Sequence, residues 1–254
     1  MEQALSFLDP QGSRVAAVLA TPETAADRVA VLCHGFLSGK RSSTNKTLTR
    51  ILNAQGIATF AFDFYGQGES DGPFEAITVG RAVDQARTAV DLMYQKGFRT
   101  VGLMGSSFGG LVATLTAAKR NDLACLALKC PVVDFAEELR VTMGEREMAE
   151  WRSTDTISNI MGGTDRIRLR YAFYEDCLRH IAYEPSRAIS APTLIVQGDR
   201  DECVPLHQSQ DLYRALTCPK HMELLPGADH QFTKADDFRR MTDLIANWFL
   251  AHLP

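Results

Sequence analysis

The chain has 254 residues, a formal net charge of −4 and 45% hydrophobic residues, which is enough to bury one α/β domain or such a domain carrying an insertion. It has no basic block and no basic stripe interleaved with aromatic residues, which argues against a nucleic-acid partner. Glu2, Asp9 and Pro10 interrupt the apolar core that a signal peptide needs, and no later run is long enough for a membrane span. The six cysteines contain no C-x-x-C pair, which favours reduced thiols. We therefore expect a soluble cytoplasmic protein.

Short apolar runs alternate with helical patterns in both halves of the chain. The predicted strands are residues 3–8, 14–20, 28–33, 57–62, 100–104, 123–128, 192–197 and 221–225. The predicted helices are residues 44–55, 78–95, one through 111–115, 206–216 and 235–251. The first two strands form a hairpin around the turn residues Asp9-Pro10-Gln11-Gly12. Most later strands are apolar on both faces, so we predict an α/β fold with a mostly parallel sheet and helices on both sides.

The alternation stops between residues 133 and 187. This segment is charged and irregular, with a turn-like run at 161–165 and a helical pattern over 166–181, and it has no strand of the buried type. We predict an inserted cap of short helices over the carboxyl edge of the sheet, between the core segments 1–132 and 188–254. A long decorated loop is the alternative.

The hexapeptide Gly105-Ser106-Ser107-Phe108-Gly109-Gly110 joins a predicted strand to a predicted helix. Centred on Ser107 it reads G-x-S-x-G, the nucleophile elbow, whose sharp turn requires the glycines at 105 and 109 for steric reasons. Ser106 lacks such glycines, because its corresponding neighbours are Met104 and Phe108. A glycine-rich turn with an incidental serine is the alternative for this stretch alone.

A serine hydroxyl needs a base to remove its proton, and the base needs an acid to orient it. His230 is the histidine that lies after a predicted strand and downstream of an acidic loop, in the order Ser, acid, His. For the acid, Asp199 and Asp201 compete, and spacing does not separate them. Asp229 is adjacent to the histidine in sequence, so we assign it a role in the local turn. His207, which begins a helix close after the acidic loop, is the second choice for the base. His180, His221 and His252 are weaker candidates, and His34 is interpreted as structural.

An oxyanion needs two backbone N–H donors. Phe108, which follows the nucleophile, supplies one, and Phe36 in the run His34-Gly35-Phe36 supplies the other from the loop after an early strand. The glycine-rich loop 63–72 is interpreted as a structural turn, because no lysine follows its glycines and no helix starts on them.

Together these motifs resemble the α/β-hydrolase superfamily of serine hydrolases, and within it the bacterial cinnamoyl and feruloyl esterases and the monoacylglycerol-lipase-like enzymes. The resemblance covers residues 25–130 and 190–250. It rests on His34-Gly35-Phe36, the D-F-x-G-x-G-x-S-D-G pattern of 63–72, the elbow, the G-D-x-D-x-x-V-P pattern of 198–205 and Gly227-Ala228-Asp229-His230. In that family the second aspartate of G-D-x-D is catalytic, which implies Asp201. Ser106 and Phe108 depart from the histidine and glutamine that many relatives have there.

The resemblance implies a serine hydrolase that cleaves small carboxylic esters through Ser107, His230 and Asp201, with oxyanion donors at Phe36 and Phe108. No cofactor and no metal is expected. We expect Phe36, Leu37, Phe108 and cap residues to line a mostly apolar acyl pocket for short aliphatic or aryl esters. A thioesterase, amidase, acyltransferase or perhydrolase would use the same residues, and a ligand-binding protein could keep the fold without turnover. The sequence leaves the oligomeric state open, a homodimer included.

Overall fold

The computed structural model describes residues 1–158 and 168–253. The strands in these residues are β1 (Glu2–Leu8), β2 (Arg14–Ala20), β3 (Arg28–Cys33), β4 (Ala58–Phe62), β5 (Thr100–Ser106), β6 (Cys125–Lys129), β7 (Thr156–Ser158), β8 (Arg168–Arg170), β9 (Thr193–Gly198) and β10 (Lys220–Leu225). The α-helices are α1 (Ser43–Ala54), α2 (Val79–Gln95), α3 (Phe108–Ala117), α4 (Phe135–Thr154), α5 (Tyr171–Cys177), α6 (Leu206–Ala215) and α7 (Ala235–His252).

Eight strands form one sheet in the order β1-β2-β4-β3-β5-β6-β9-β10. β1 pairs antiparallel with β2 and β2 antiparallel with β4, whereas every later pairing in this sheet is parallel. The predicted hairpin and the mostly parallel sheet are therefore confirmed. Because parallel strands of this sheet point the same way, the segments that follow β3, β5, β9 and β10 meet at one edge.

Helices cover both faces of the sheet, as predicted. Successive residues of β3 show the alternation: Val31 packs into the core cluster that also contains side chains of α2 and α3, and Leu32 packs into the cluster that contains side chains of α1 and α7. This two-sided burial explains why the strands are apolar on both faces. Among the described helices, none combines the length and the apolar character needed to cross a membrane.

Residues 133–187 differ in part from the prediction. α4 is one 20-residue element that Gly144 kinks, with φ 73° and ψ 170°. The helical pattern assigned to 166–181 is wrong at its start, because residues 168–170 form β8, which pairs antiparallel with β7, and the helix α5 covers only 171–177. Leu169 explains the strand: it is buried between two exposed neighbours, and its carbonyl accepts the Trp151 Nε1–H at 2.8 Å. The turn predicted at 161–165 lies outside the described residues.

Candidate active site

Ser107 occupies the turn between β5 and α3 with φ 54° and ψ −118°, a conformation that costs free energy for a residue with a side chain. Its backbone is fixed on both sides: the N–H donates to Lys129 O at 2.9 Å, and the carbonyl accepts from Gly110 N at 2.7 Å and Val132 N at 3.1 Å. The strained turn is thus held by β6 and by the first turn of α3.

The two elbow glycines are required by close backbone contacts. A Cβ on Gly105 would lie 2.1 Å from Gly109 O, and one on Gly109 would lie 2.3 Å from Cys33 O and 2.5 Å from His34 O. Real Cβ atoms do not approach a backbone oxygen this closely. The glycines therefore let α3 start directly against β5 and against the loop that follows β3.

Asp201 and His230 meet at the carboxyl edge of the sheet. His230 Nδ1 lies 2.8 Å from Asp201 Oδ2 and 3.0 Å from Oδ1, and both side chains are nearly inaccessible to solvent. With its Nδ1–H donated to the carboxylate, the imidazole presents Nε2 as an acceptor. Asp199, the other acidic candidate, is exposed and accepts the Gly227 N–H at 2.6 Å.

The Asp201 carboxylate is held by several donors besides the imidazole. Gln197 Nε2 donates to Oδ2 at 2.8 Å, and the N–H groups of Cys203 and Val204 donate to Oδ1 at 2.9 and 2.8 Å. Burial raises the pKa of Asp201, but the hydrogen bond and charge of His230, with the hydrogen bonds of the Val204 N–H and the Cys130 thiol, outweigh it and leave the pKa below its ordinary value. The carboxylate is therefore ionised at neutral pH.

Cys130 is the third group with a potential metal-ligating atom here: its Sγ, a carboxylate oxygen of Asp201 and a ring nitrogen of His230 lie within 4.8 Å of one another. Burial raises the pKa of the Cys130 thiol far above its ordinary value, so the sulfur stays protonated. Both Asp201 oxygens already accept hydrogen bonds from the imidazole, from Gln197 and from two backbone N–H groups, an arrangement that suits a carboxylate orienting an imidazole better than a metal centre.

Ser107 and His230 line the same cavity of about 320 Å³, together with Phe36 and Leu37. In the part of the chain that the structure describes, the Ser107 hydroxyl makes no hydrogen bond. Catalytic hydrogen bonds in structures without substrate are often long and shorten only when substrate binds. The cavity thus brings the predicted nucleophile and base to one space.

The Phe36 loop lies against the nucleophile. A Cβ on Gly35 would be 3.4 Å from Ser107 Cβ, and among the described residues neither Phe36 N–H nor Phe108 N–H has a hydrogen-bond acceptor. Leu37, the next residue, has φ 55° and also lines the cavity. Two free N–H groups beside a serine hydroxyl are what an oxyanion requires.

A sequence profile of the family described as serine aminopeptidase, S33, matches residues 24–158. The chain belongs to this family. It is 25% identical to the human serine hydrolase BPHL over 85% of this chain and 78% of that protein. It is 22% identical to the monoacylglycerol lipase of Mycolicibacterium smegmatis over 98% of this chain and 97% of that protein.

The S33 family member also shares its fold with Est1E from Butyrivibrio proteoclasticus, solved with ferulic acid bound. The two superpose with a TM-score of 0.85 over 98% of this chain and 99% of that chain, at 23% sequence identity. At this identity the likeness shows the α/β-hydrolase fold alone. The likeness confirms the fold class, and together with the family match it confirms the resemblance to the α/β-hydrolase superfamily.

His34 in this family member has a structural position. Its Nδ1–H donates to Gly35 O at 2.7 Å and its Nε2 accepts the Phe64 N–H at 3.1 Å. Burial lowers the pKa of His34 to about 4, so the ring is neutral. The neutral ring fixes the Phe36 loop to the segment that follows β4.

The loop 63–72 wraps around the carboxylate of Asp63. This carboxylate accepts N–H groups from Lys40 and, at 2.9 Å, from Glu69, and it pairs with the buried Lys40 ammonium. Burial opposes the charge of Lys40, but its hydrogen bonds to Asp63 and Glu69 outweigh this and raise its pKa. A Cβ on Gly68 would lie 2.3 Å from the Asp63 carboxyl group, which explains one glycine of the pattern. The loop therefore braces the segment between Phe36 and α1.

The expected apolar acyl pocket needs correction. The Phe108 side chain is only 1% exposed, and its ring lies in a cluster with Phe36, Phe64, Phe135 and Phe173 at centroid distances of 5.5–6.4 Å. Among the described residues it does not line the cavity, where polar side chains are numerous instead. The polar lining residues are Ser38, Ser42, Ser43, Thr44, Ser106, Ser107, Lys129, Glu138, His230 and Gln231. The ring thus packs between the Phe36 loop and the helices α4 and α5, and not into the cavity.

Sequence reasoning missed two titratable residues of the cavity, the buried Lys129 and the half-buried Glu138. Lys129 ends β6 and donates from Nζ to His230 O at 2.8 Å. Glu138 projects from the first part of α4, and its Oε2 atom is buried with no hydrogen-bond partner in the described chain. For Lys129 a signal existed, because a lysine directly follows the apolar run 123–128. For Glu138 none existed, since several glutamates share its helix.

Glu138 should make the protein less stable as the pH rises. Burial, with a smaller effect of the Asp201 charge, raises its pKa from 4.5 to about 8, so the folded chain binds more protons than the unfolded chain between these values. Stability therefore falls as the pH increases through that window. Glu138→Gln removes this loss and should raise Tm by a few degrees above pH 8, with little change below pH 4.5.

Thermal unfolding followed by circular dichroism across this pH range measures the effect. Glu147→Gln is the matched control, because Glu147 is exposed on the same helix. Equal Tm changes in the two variants at all pH values would contradict the prediction.

The other histidines lie apart from Asp201 and Ser107. His207 Nε2 contacts the Glu137 carboxylate at 3.1 Å, and His180 Nδ1 donates to Asp176 O at 2.8 Å. His221 lies 3.5 Å from Glu223, and His252 Nδ1 lies 2.9 Å from Trp248 O. Asp229 accepts the Thr233 N–H at 2.9 Å, which fits the local turn role.

Proposed function

We propose that the chain is a serine hydrolase of small carboxylic esters, with Ser107 as nucleophile, His230 as general base and Asp201 as the residue that orients the imidazole. The observation that carries the proposal is the Asp201–His230 hydrogen bond of 2.8 Å at the wall of the cavity that also contains the strained Ser107. A serine, a histidine and a buried carboxylate in this order and arrangement are the parts of an acyl-transfer site.

In the first half-reaction, Ser107 Oγ attacks the ester carbonyl while its proton passes to His230 Nε2. The negative charge moves to the carbonyl oxygen, which accepts hydrogen bonds from the Phe36 and Phe108 N–H groups. Asp201 stabilises the imidazolium that forms. The C–O bond to the alcohol then breaks, and the imidazolium returns its proton to the leaving oxygen, which leaves an acyl group on Ser107.

In the second half-reaction, water takes the place of the alcohol. His230 Nε2 accepts a proton from the water as it attacks the acyl carbon, and the same two N–H groups stabilise the oxyanion again. Collapse of this intermediate breaks the bond to Ser107 Oγ, and the imidazolium protonates Oγ. The products are the free acid and the original enzyme.

The cavity supports a small substrate. Its volume of about 320 Å³ lies at the lower end of ligand pockets, which span roughly 300–1,000 Å³. The lipase name of one relative and the ferulic acid bound to Est1E both point to esters of carboxylic acids. A small-molecule ester is thus the proposed partner of the site.

A fluorophosphonate probe combined with a substrate panel tests the proposal. The probe should label Ser107 stoichiometrically, as located by peptide mass spectrometry, and 4-nitrophenyl esters of short acids should be hydrolysed faster than matched thioesters and anilides. Added alcohols reveal acyl transfer as a competing outcome, and peroxide-dependent halogenation reveals a perhydrolase. An unlabelled Ser107 would favour a binding protein that keeps the fold without turnover.

A further inference from the structure

The ammonium group of Lys129 is buried without a counter-ion. The residue is 3% exposed, its Nζ donates one hydrogen bond, to His230 O, and within residues 1–158 and 168–253 no carboxylate lies within 4.0 Å of it. The other buried lysine, Lys40, by contrast pairs with Asp63 and Glu69. Nζ also lies over the ring of Phe232, 5.2 Å from its centroid, but this ring carries no net charge. Buried charges are normally paired with an opposite charge, so an ammonium in a cavity wall whose partners in the described chain are only a carbonyl and an aromatic ring favours an anionic ligand.

Asp201 does not serve as that counter-ion. Its two oxygens accept from His230, Gln197 and two backbone N–H groups. During catalysis the imidazole gains a proton, and Asp201 then balances that positive charge. Burial lowers the pKa of Lys129, which disfavours the ammonium form while no anion is close, and a bound carboxylate favours that form again.

The N-terminus of α1 lines the same cavity through Ser42, Ser43 and Thr44. Ser42 caps the 12-residue helix by accepting the Asn45 N–H at 3.2 Å, and the first turn contains no acidic residue. The N–H groups of Ser43 and Thr44 have no acceptor in the described chain. Free first-turn N–H groups and the helix dipole attract an anion.

We propose that Lys129 and the first turn of α1 form an anion subsite inside the catalytic cavity, which binds a carboxylate carried by the non-reacting end of the substrate. This rests on the proposed ester hydrolysis at Ser107. The substrate class is then the half-esters of short dicarboxylic acids.

Two features of the cavity favour a carboxylate over a phosphate. One ammonium balances the single charge of a carboxylate, and the volume of about 320 Å³ must also hold the reacting ester. Glu138, which shares the cavity, is protonated at neutral pH, so it adds no negative charge and can donate a hydrogen bond.

A matched substrate series tests the subsite. Monomethyl esters of dicarboxylic acids of increasing length are compared with methyl esters of monocarboxylic acids of equal length, and acid release is followed by titration at constant pH. At the best length the half-ester should have about a tenfold or larger advantage in kcat/KM. Lys129→Met should reduce this ratio about tenfold, and any general loss from the contact with His230 cancels in the ratio.

The helix contribution is tested by Ser43→Pro against Ser43→Ala. Both variants lose the hydroxyl, but only proline removes the N–H, and proline is tolerated at the first position of a helix. Ser42 already has φ −54° and ψ 157°, the extended conformation that a following proline requires. The ratio of kcat/KM for the half-ester to kcat/KM for the matched neutral ester should fall severalfold further in Ser43→Pro than in Ser43→Ala.

Binding separates this proposal from the proposed function. In Ser107→Ala protein, calorimetry should show the half-ester binding about tenfold tighter than the neutral ester, and adding Lys129→Met should abolish the difference. Hydrolysis of neutral esters with no preference for half-esters, or equal binding of the two, would overturn the subsite alone. Absence of hydrolysis and of Ser107 labelling would overturn the proposed function. If inorganic phosphate inhibited hydrolysis more strongly than acetate, and Lys129→Met abolished that inhibition, the assignment to a carboxylate would be overturned.

Discussion

Ser107→Ala should lower kcat for ester hydrolysis by about 10⁴- to 10⁶-fold while the protein stays folded. The hydroxyl is the proposed attacking atom, and the remaining cavity offers only the oxyanion donors and substrate binding. Alanine removes one atom and keeps the Cβ, so the turn at φ 54° retains its hydrogen bonds to Lys129 and Gly110. Release of nitrophenol from a 4-nitrophenyl ester measures the loss, and circular dichroism measures the fold.

Ser106→Ala is the matched control for this prediction. Ser106 is the adjacent residue, lies at the end of β5 and lines the same cavity, so it loses an equivalent hydroxyl. It should keep most of the activity, because its backbone is that of a strand and not of the elbow. If activity survived in Ser107→Ala and disappeared in Ser106→Ala, the nucleophile would be Ser106 and the proposed assignment to Ser107 would be wrong.

The sheet and the elbow could be predicted because their signals are local. Apolar runs bounded by turn residues give the strands, and the steric demand for glycine at 105 and 109 can be inferred from five consecutive residues. The structure agrees closely at the ends of the strands: the largest shifts are of two residues, at the end of β5 (Ser106 against the predicted 104) and at the start of β6 (Cys125 against 123). The sequence shows the order Ser, acid, His directly, and the meeting of the three residues could be predicted because each follows a parallel strand that ends at the same edge of the sheet.

The lining of the cavity could not be predicted, because it depends on contacts between distant residues. Lys129 and His230 are 101 positions apart, and nothing near either of them in sequence shows that they touch. The buried position of the Phe108 ring depends on its packing with Phe64 and Phe135, which are distant in sequence. Residues 133–187 lacked a sustained hydrophobic period, partly because Gly144 breaks α4. The short pattern over 166–181 was therefore assigned wholly to a helix, although its described part begins with β8.

Asp201→Asn should lower kcat by about 10⁴-fold, with a much smaller change in KM. The carboxylate accepts the Nδ1–H of His230, which leaves Nε2 free for the serine proton. An asparagine amide can donate to Nδ1, which favours the tautomer with the proton on Nε2 and removes the base. Asparagine also lacks the negative charge that stabilises the imidazolium, so the change of tautomer and the loss of charge both lower kcat.

Asp199→Asn is the control that decides between the two acids of the loop. Asp199 lies two residues away, but its carboxylate accepts the Gly227 N–H on the protein surface. Its replacement should affect the stability of that turn and leave kcat within a few fold of the original. Steady-state kinetics on one ester, together with Tm, separates these effects. A large loss of kcat in Asp199→Asn, with little loss in Asp201→Asn, would show that the 2.8 Å contact between Asp201 and His230 does not orient the base.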